Sequence, residues 1–559
     1  MATIYQNLQS LVSTDRHFSF NARQFVEENI TRSWTLTLWL VILTYVTVQF
    51  AIGELLTEPI LTTIVLVVWL GTVAWTALNE VTRQHVPVTF WLKNNLYSSI
   101  TNVLLTLLLT LLIISFLRGF IGWAVVRASF STNPEVAEET LAEYGDPGAN
   151  WGAVIDNLGQ MAIYRYPRGE VANLYLALAL LVVLAVPSII IFRSERYRKS
   201  LLRRALTLAW VTLPLVVWFL LRGIDYWRIA AVIAAIVVVY VVGSAASAWA
   251  RQRGAVIRTA ASLLWVLLAV GLVVLTANLT GVSDSVAYET WGGFLLTIVI
   301  SVFAIAVSFP IGLVMALGRR STIRGVPAWL TYLIALGIMI WGLLYSTPAN
   351  LEAARTPTEQ LYAYWPLAVP VIAFLFQRYF AGNVLALFST MYIEMVRGVP
   401  LITVLFMSVI LFPIFLPPGM EFPATLRVMA AAALFSAAYL AENVRGGLQS
   451  IPQGQYEAAD AIGLSTYQKY RLIILPQALR AVIPAIVGQF IGLFKDTTLV
   501  AIVGLTDLLG TANNISAQPD WLGVRREPYV FIAIVYFVGS AIMAGYSRRL
   551  ERELGVGER

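Results

Sequence analysis

Repeated apolar runs of about 20 residues constrain the fold of this 559-residue chain more than any other feature. A helix needs about 20 apolar residues to cross about 30 Å of hydrocarbon, because each residue adds about 1.5 Å. Only 12% of the residues are charged, about half the share in a soluble domain. The sequence therefore predicts an all-α polytopic membrane protein with about fourteen transmembrane helices. The predicted spans are 34–52, 60–78, 99–117, 171–192, 205–222, 228–249, 257–277, 293–317, 327–345, 365–381, 398–416, 424–443, 481–501 and 528–546.

The placement of Lys and Arg between these spans predicts the orientation of the chain. With the polar loop at residues 455–476 inside, most Lys and Arg fall in inside loops, of which 193–204 is the most basic. The outside segment 127–170 is acidic instead. Cytoplasmic loops of membrane proteins carry the excess of Lys and Arg. We therefore expect a multi-pass membrane protein with both termini cytoplasmic.

The residue inventory excludes several classes of function. The chain has no Cys and only two His, so we expect no metal site. None of the four lysines (Lys93, Lys199, Lys469 and Lys495) follows a Gly, so no phosphate-binding loop for ATP is possible. The net charge of +7 comes from the loops and does not indicate nucleic-acid binding. We expect a protein that is not an enzyme.

The polar loop carries the spacing E-A-A-x3-G-x9-I-x-L-P, beginning at Glu457. Its small side chains allow another surface to approach closely, and Gly463 can adopt a positive φ that ends a short helix over 455–462. Pro476 is expected to open the next helix. An ordinary solvated loop is the other interpretation. The residues predicted to couple this loop to a partner are Glu457, Ala458, Ala459, Gly463, Leu464, Ile473, Leu475 and Pro476.

This loop resembles the cytoplasmic signature loop of permease subunits of ATP-binding-cassette (ABC) importers. Three more segments, at 291–320, 392–402 and 494–508, are similar to permeases for polar and general L-amino acids, closest to the M-type subunit. The resemblance covers roughly 288–550. It implies a type I importer-like five-helix core in the C-terminal half and a loop helix that docks on a separate ATPase dimer. It also implies a second permease subunit, as a heterodimer rather than a homodimer, and an extracytoplasmic amino-acid-binding protein. ATP and Mg would be used by the ATPase, with no cofactor bound by this chain.

The chain is expected to divide near residue 285. Residues 1–285 form an N-terminal membrane region with about seven spans, residues 286–550 the permease domain, and 551–559 a cytoplasmic tail. About 65 residues more than the resemblance predicts separate two of the core segments, and we expect an inserted hairpin at about 321–385. The outside segment 127–170 contains an amphipathic piece that either lies at the membrane interface or docks a binding protein.

Polar residues within the permease domain are candidates for a gate or a substrate path, because charges inside a membrane are costly. Lys495 or Asp496 either borders the path or belongs to a structural ion pair with another helix, for which Glu442 and Glu394 are the candidate partners. The Arg397-Gly398-Val399-Pro400 turn either belongs to an inner gate or anchors the start of a helix. The candidates are Glu394, Arg397, Gly398, Pro400, Glu442, Lys495, Asp496, Thr497 and Thr498.

The expected function is that of an ABC permease subunit that moves L-amino acids across the inner membrane. It would couple to the ATPase through the 455–476 loop. The alternative is an ion-coupled secondary amino-acid transporter, which would work without an ATPase and would have no need of this loop.

Overall fold

The computed structural model describes residues 59–81, 100–143, 148–194, 200–250, 286–321 and 325–555, and a few single residues between these ranges. The described residues are almost entirely helical, with two isolated β-bridges and no named strand. The predicted all-α membrane class is therefore confirmed. By its internal contacts the chain separates into two compact units, Met1–Gly152 and Ala153–Arg559.

The first unit contains two long apolar helices at positions predicted to span the membrane. These are α1 (Pro59–Val81) and α2 (Ile100–Ile121), followed by the short helix α3 (Pro134–Glu143). After α2 the chain returns to the end of this helix, where the Trp151 indole donates a 2.6 Å hydrogen bond to the carbonyl of Ala124. The predicted spans 34–52 and 257–277 lie almost wholly outside the described residues.

The short helix α4 (Gly152–Asp156) lies at the boundary between the two units. The helices that follow it, up to residue 250, are α5 (Leu158–Ile163), α6 (Val171–Arg193), α7 (Leu201–Leu221) and α8 (Tyr226–Ala250). The last three of these form a bundle. Buried apolar side chains of α6, α7 and α8 form one cluster that includes Ala177, Phe219 and Val232.

Beyond residue 285 the chain forms a second set of long helices. They are α9 (Gly293–Arg319), α10 (Ala328–Trp341), α11 (Thr347–Ala353), α12 (Pro357–Ala363), α13 (Val369–Phe380), α14 (Val384–Arg397), α15 (Leu401–Phe406), α16 (Ala424–Gln449), α17 (Gln453–Ala461), α18 (Thr466–Lys469), α19 (Leu475–Asp496), α20 (Leu508–Ile515) and α21 (Arg526–Glu553). The helix α16 lies at the centre, packed against α9, α14 and α19.

Small residues allow the central helices to pack closely, as is common where lipid gives no hydrophobic drive for association. A methyl group added at Gly312 of α9 would lie 2.8 Å from the carbonyl oxygen of Ala437 in α16. One added at Gly447 would lie 2.5 Å from the carbonyl oxygen of Ala478 in α19. Backbones at this separation leave no space for a larger side chain.

The stretch predicted as an inserted hairpin forms two packed helical arms. The α10 arm continues through a π-helical turn, Gly342–Ser346, into α11, and the second arm runs through α12 and α13. The Thr347 hydroxyl donates to the carbonyl of Ala363 at 3.0 Å near one end. At the other end the Val326 amide donates to the Gly382 carbonyl at 2.9 Å. The arms are therefore joined at both ends.

Among the described residues, seven helices are long and apolar enough to cross a membrane, or up to ten if three bent helix pairs each count as one span. One of these pairs is Val384–Arg397 with Leu401–Phe415, bent by 105°. The predicted total of fourteen spans and the domain division near residue 285 stay predictions.

Candidate coupling loop and transmembrane polar residues

The signature loop folds as a short helix with a defined end. Pro452 precedes α17, and Gly463 follows it with φ of +72°, as the sequence predicts. The amide of Gly463 donates to Asp460 at 2.9 Å and that of Leu464 to Ala459 at 3.2 Å. These bonds satisfy carbonyls that the end of a helix would otherwise leave unpaired.

Contacts beneath α17 hold it firmly against the ends of its neighbours. Ala459 is completely buried. The Tyr456 hydroxyl donates to the carbonyl of Leu448 in α16 at 3.1 Å, and its ring meets the Tyr470 ring edge-on at 6.3 Å. Lys469 pairs with both carboxylate oxygens of Asp460, at 2.6 and 2.9 Å. A displacement of α17 would therefore carry α16 with it.

The opposite face of this loop is exposed and partly apolar. Glu457 and Ala458 are exposed on α17. Ile462, Tyr467 and Leu472 follow with 71%, 68% and 61% of their surface exposed. Large apolar side chains exposed together in a polar loop mark an interaction surface.

The end of the loop differs from the prediction that Pro476 opens a new helix. Helical structure runs from Thr466 to Val503, through α18, a π-helical turn at Tyr470–Ile474 and α19. Pro476 lies in the first turn of α19. Proline has no N–H to donate, and the hydrogen-bond register changes just before it, at the π-helical turn. Ile474, the last residue of the π-helical turn, is buried, whereas Ile473 and Leu475 are partly buried and Pro476 is exposed.

Five charged side chains meet where α9, α14 and α16 end. Arg319 lies 2.8 Å from Glu394 and 3.6 Å from Glu442. Arg397 lies 3.7 Å from Glu442, and Arg445 donates to the same carboxylate at 2.8 Å. We call these five residues the ion cluster. Sequence reasoning selected Glu394, Arg397 and Glu442 but not their partners Arg319 and Arg445.

The Arg397-Gly398-Val399-Pro400 turn produces the sharp bend between α14 and α15. The Gly398 amide closes α14 by donating to Glu394 at 3.1 Å, and Pro400 precedes α15. Arg397 stacks over the Tyr439 ring at 5.6 Å. The bend therefore lies beside the ion cluster, which joins α9, α14 and α16.

The four polar residues at the end of α19 face different surroundings. The side chains of Lys495 and Asp496 are exposed and make no hydrogen bond or ion pair within the described part of the chain. Thr497 is 2% exposed and shares a 3.2 Å hydrogen bond with the Tyr536 hydroxyl. Thr498 donates to its own helix, to Lys495, at 2.9 Å. The alternative of an ion pair between this segment and Glu442 or Glu394 is not found among the described residues, where both glutamates pair with arginines.

A buried carboxylate lies beyond this helix end and was not selected as a site from the sequence. Asp507 is completely buried, and its Oδ1 accepts from the Gly510 amide at 2.9 Å at the start of α20. Burial raises the pKa of Asp507 to about 6, although backbone hydrogen bonds from Gly510 and Leu509 act in the opposite direction. The adjacent Thr506 carbonyl accepts from the Gly293 amide at 2.9 Å. This contact ties the start of α9 to the start of α20.

Within the described ranges, no group of three or more His, Cys, Asp or Glu side chains is placed to hold a metal ion. The ion cluster contains only two carboxylates among three arginines, which disfavours a cation there. The arrangement suits binding and movement rather than bond chemistry.

Comparison with known proteins identifies the class. Residues 360–556 match the family described as binding-protein-dependent transport system inner membrane component. The glutamate/glutamine/aspartate/asparagine transport system permease protein BztC of Rhodobacter capsulatus is 33% identical over 481 residues, covering 83% of this chain and 93% of the relative. The inner membrane amino-acid ABC transporter permease protein YhdY of Escherichia coli is 29% identical over 469 residues, covering 84% and 93%. A crystal structure of an amino acid ABC transporter with histidines aligns with 25% identity and a TM-score of 0.32, covering 47% and 92%.

The chain therefore belongs to the family of amino-acid ABC transporter permeases. The resemblance deduced from the signature loop is confirmed. The protein is a multi-pass inner-membrane component of an importer, a transport subunit rather than an enzyme. Permeases of this family work with ATPase and substrate-binding partners.

Proposed function

We propose that this chain carries L-amino acids into the cell and is driven by a separate ATPase that docks on the 455–476 loop. The main support is the loop itself, which is anchored to α16 through Tyr456 and exposes Glu457, Ile462 and Tyr467 on its other face. ATP and Mg would be bound by the ATPase dimer, and this chain would bind no cofactor. A secondary transporter would not need such a surface.

The anchoring of α17 gives a physical route from the ATPase to the membrane helices. The Tyr456 hydroxyl bonds to Leu448, and Leu448 lies two helical turns beyond Glu442 in α16. Moving α17 would displace the inner end of α16 and change the distances within the ion cluster. We propose that this cluster, together with the Gly398–Pro400 bend, forms the inner gate.

Lys495 and Asp496 are proposed to border the substrate path. An amino acid is a zwitterion, so its path benefits from a cation and an anion close together. Both side chains are exposed in the isolated chain. Within a membrane, a charged side chain without a partner or water would be costly. A water-filled path between two permease subunits would provide that environment. Thr497 and Thr498 would then support the end of α19 rather than bind substrate.

The assembly we propose contains a second permease subunit, an ATPase dimer and an extracytoplasmic amino-acid-binding protein. We favour a heterodimer of this M-type chain with a sister permease. Both termini would be cytoplasmic. The Rhodobacter relative is named for glutamate, glutamine, aspartate and asparagine, which makes these the first substrates to test.

The test is affinity purification of the tagged chain from its native membrane, followed by mass spectrometry and reconstitution of the complex in vesicles. A co-purifying ATPase, a sister permease and uptake that requires ATP would support the proposal. Uptake by the purified chain alone under an ion gradient, with no ATPase present, would replace it by the secondary transporter. The relatives give no support to that alternative.

A further inference from the structure

An apolar cleft of about 670 Å³ lies among α6, α7 and α8, away from the permease site. Its walls include Leu180 and Leu184 of α6, Leu208 of α7, and Ile236 of α8. Its size falls within the range of about 300–1,000 Å³ that small-molecule sites occupy. The cleft lies towards the end of the bundle where α6 ends and α7 begins, which is the cytoplasmic end in the proposed orientation.

The buried apolar cluster of the bundle lies at its other end, whereas at this end α6 and α7 meet through the Trp210 indole, which donates to the Ser188 hydroxyl at 2.7 Å. Ala177, Phe219 and Val232 close the outer half in one buried cluster. The helix α7 bends by 42° between Trp210 and Thr212. Pro214 explains the bend, because it cannot donate the backbone hydrogen bond to Trp210. The bend changes the direction of the inner half of α7, which lines the cleft from Leu201 to Ala209.

Among the described residues that line the cleft, one is a cation, and it lies at the mouth. Arg204 lines it, is exposed, and has no side-chain hydrogen bond or ion pair within the described ranges. The neighbouring Arg203 points elsewhere, over the Phe192 ring at 5.5 Å, and is not part of the lining. Arg204 therefore gives the mouth of the cleft a positive charge.

We infer that this cleft holds an acyl chain of an anionic phospholipid from the cytoplasmic leaflet, with the lipid phosphate on Arg204. From Arg204 to Val216, the deepest lining residue of α7, the helix rises about 18 Å, close to the half-thickness of about 15 Å of the hydrocarbon core. Basic pockets between membrane helices on the cytoplasmic side suit anionic head groups. The inference rests on the orientation in the proposed function, but not on the transported substrate.

The apolar walls of the cleft and the charge of Arg204 would bind different parts of the same lipid. The apolar walls favour any acyl chain, because the chain makes van der Waals contacts that the lining of an empty cleft would lack. Arg204 distinguishes an anionic from a zwitterionic head group. A bound chain would fill the space that the bend of α7 opens and would hold α6, α7 and α8 in one arrangement.

The experiment is native mass spectrometry of the purified complete transporter, exposed to phosphatidylglycerol or to phosphatidylcholine in detergent. We expect retained phosphatidylglycerol, and for Arg204→Gln a loss of about fivefold in its apparent affinity, with little change for phosphatidylcholine. Arg203→Gln is the matched control, since it removes the same charge one residue away without touching the cleft.

Ala209→Trp, which fills the cleft, should abolish retention of both lipids. Ala234→Trp, at an exposed position of α8 outside the lining, should not.

Equal affinities for Arg204→Gln and Arg203→Gln would overturn the head-group assignment. Unchanged lipid retention by Ala209→Trp would overturn the site, because the lipid would then lie on the general surface. Absence of retained lipid from the wild type would mean that protein, such as another segment of the chain or a partner subunit, fills the cleft. Each of these results can occur with ATP-driven uptake intact, so failure here is distinguishable from failure of the proposed function.

Discussion

At the scale of single residues, adjacent side chains on α19 have separate roles. Successive positions on a helix point about 100° apart, so neighbours face different surroundings. Lys495 and Asp496 are exposed, whereas Thr497 turns inward to Tyr536 and is almost fully buried. One short polar sequence therefore contains both candidate path residues and a structural hydroxyl.

Replacing Lys495 by Ala should weaken substrate binding without unfolding the protein. The side chain has no partner within the described residues, so its removal leaves no buried group unsatisfied. We expect the KM for amino-acid uptake to rise about tenfold, a loss of about 1.4 kcal/mol, with a normal yield of assembled complex. Thr497→Val is the comparison, and it should lower thermal stability because it breaks the contact with Tyr536. Unchanged uptake kinetics in Lys495→Ala would remove this residue from the path.

Replacing Asp507 by Asn should change how stability depends on pH. The pKa of this carboxyl is about 6 in the folded protein, above its usual 3.8. The folded state therefore binds the proton more strongly than the unfolded state, and stability falls as pH rises from about 4 to about 6. Asparagine keeps the helix-capping oxygen but carries no charge. The variant should melt at a higher temperature than wild type at pH 7.5, and the difference should shrink towards pH 5.

Thermal unfolding of the purified complex in detergent at both pH values measures this effect. Comparing the variant with wild type at each pH cancels the contributions of the other carboxylates. A constant difference across the range would show that Asp507 does not titrate there.

At the scale of elements, α17, the helix proposed to couple to the ATPase, depends on how it ends. Gly463 has φ of +72°, a conformation that costs other residues about 1–2 kcal/mol. Its amide also donates to Asp460, next to the ion pair with Lys469. The helix end thus fixes the direction in which the exposed Ile462 and Tyr467 point.

Gly463→Pro should abolish ATP-driven uptake while the chain still inserts into the membrane. Proline fixes φ near −65° and removes the amide, so it removes both features that end α17. The matched control is Gly454→Ala in the same helix, where an added methyl meets no other atom. That control should retain uptake, and its helix should be more stable by about 0.5–1 kcal/mol. Coupled uptake by Gly463→Pro would refute the role of this loop.

At the scale of the whole molecule, one continuous set of contacts joins the loop to three of the membrane helices. α17 is bound to α16, and α16 provides Glu442, which contacts arginines on α9, α14 and α16 itself. An ABC permease needs such a connection, since the energy is released in a different subunit. A movement that starts at the loop would reach three helices at once.

Glu457→Lys should weaken docking of the ATPase without altering the membrane region. Glu457 is exposed, and its side chain makes no hydrogen bond or ion pair among the described residues, so we expect its replacement to act on the partner rather than on the fold. We expect at least tenfold less co-purified ATPase and a parallel loss of uptake. Gln455→Lys, on the same helix but turned away from Glu457, is the charge control. Equal losses in both variants would point to a general charge effect rather than a specific contact.

The sequence by itself determined the membrane class, the class of transporter and the local form of the signature loop. Apolar run length, Lys and Arg placement and the conformational preference of Gly463 are properties of short segments, so they can be interpreted without coordinates. The bend at Gly398 and Pro400 was predictable for the same reason.

Only the tertiary structure decided which charges meet. Glu442 pairs with Arg319 and Arg397 from helices distant in sequence, and this leaves Lys495 and Asp496 exposed rather than paired. The continuous helix through Pro476 and the cleft beside Arg204 also depend on packing between elements. These features arise from which faces of distant helices come together, and no local pattern of residue types records that choice.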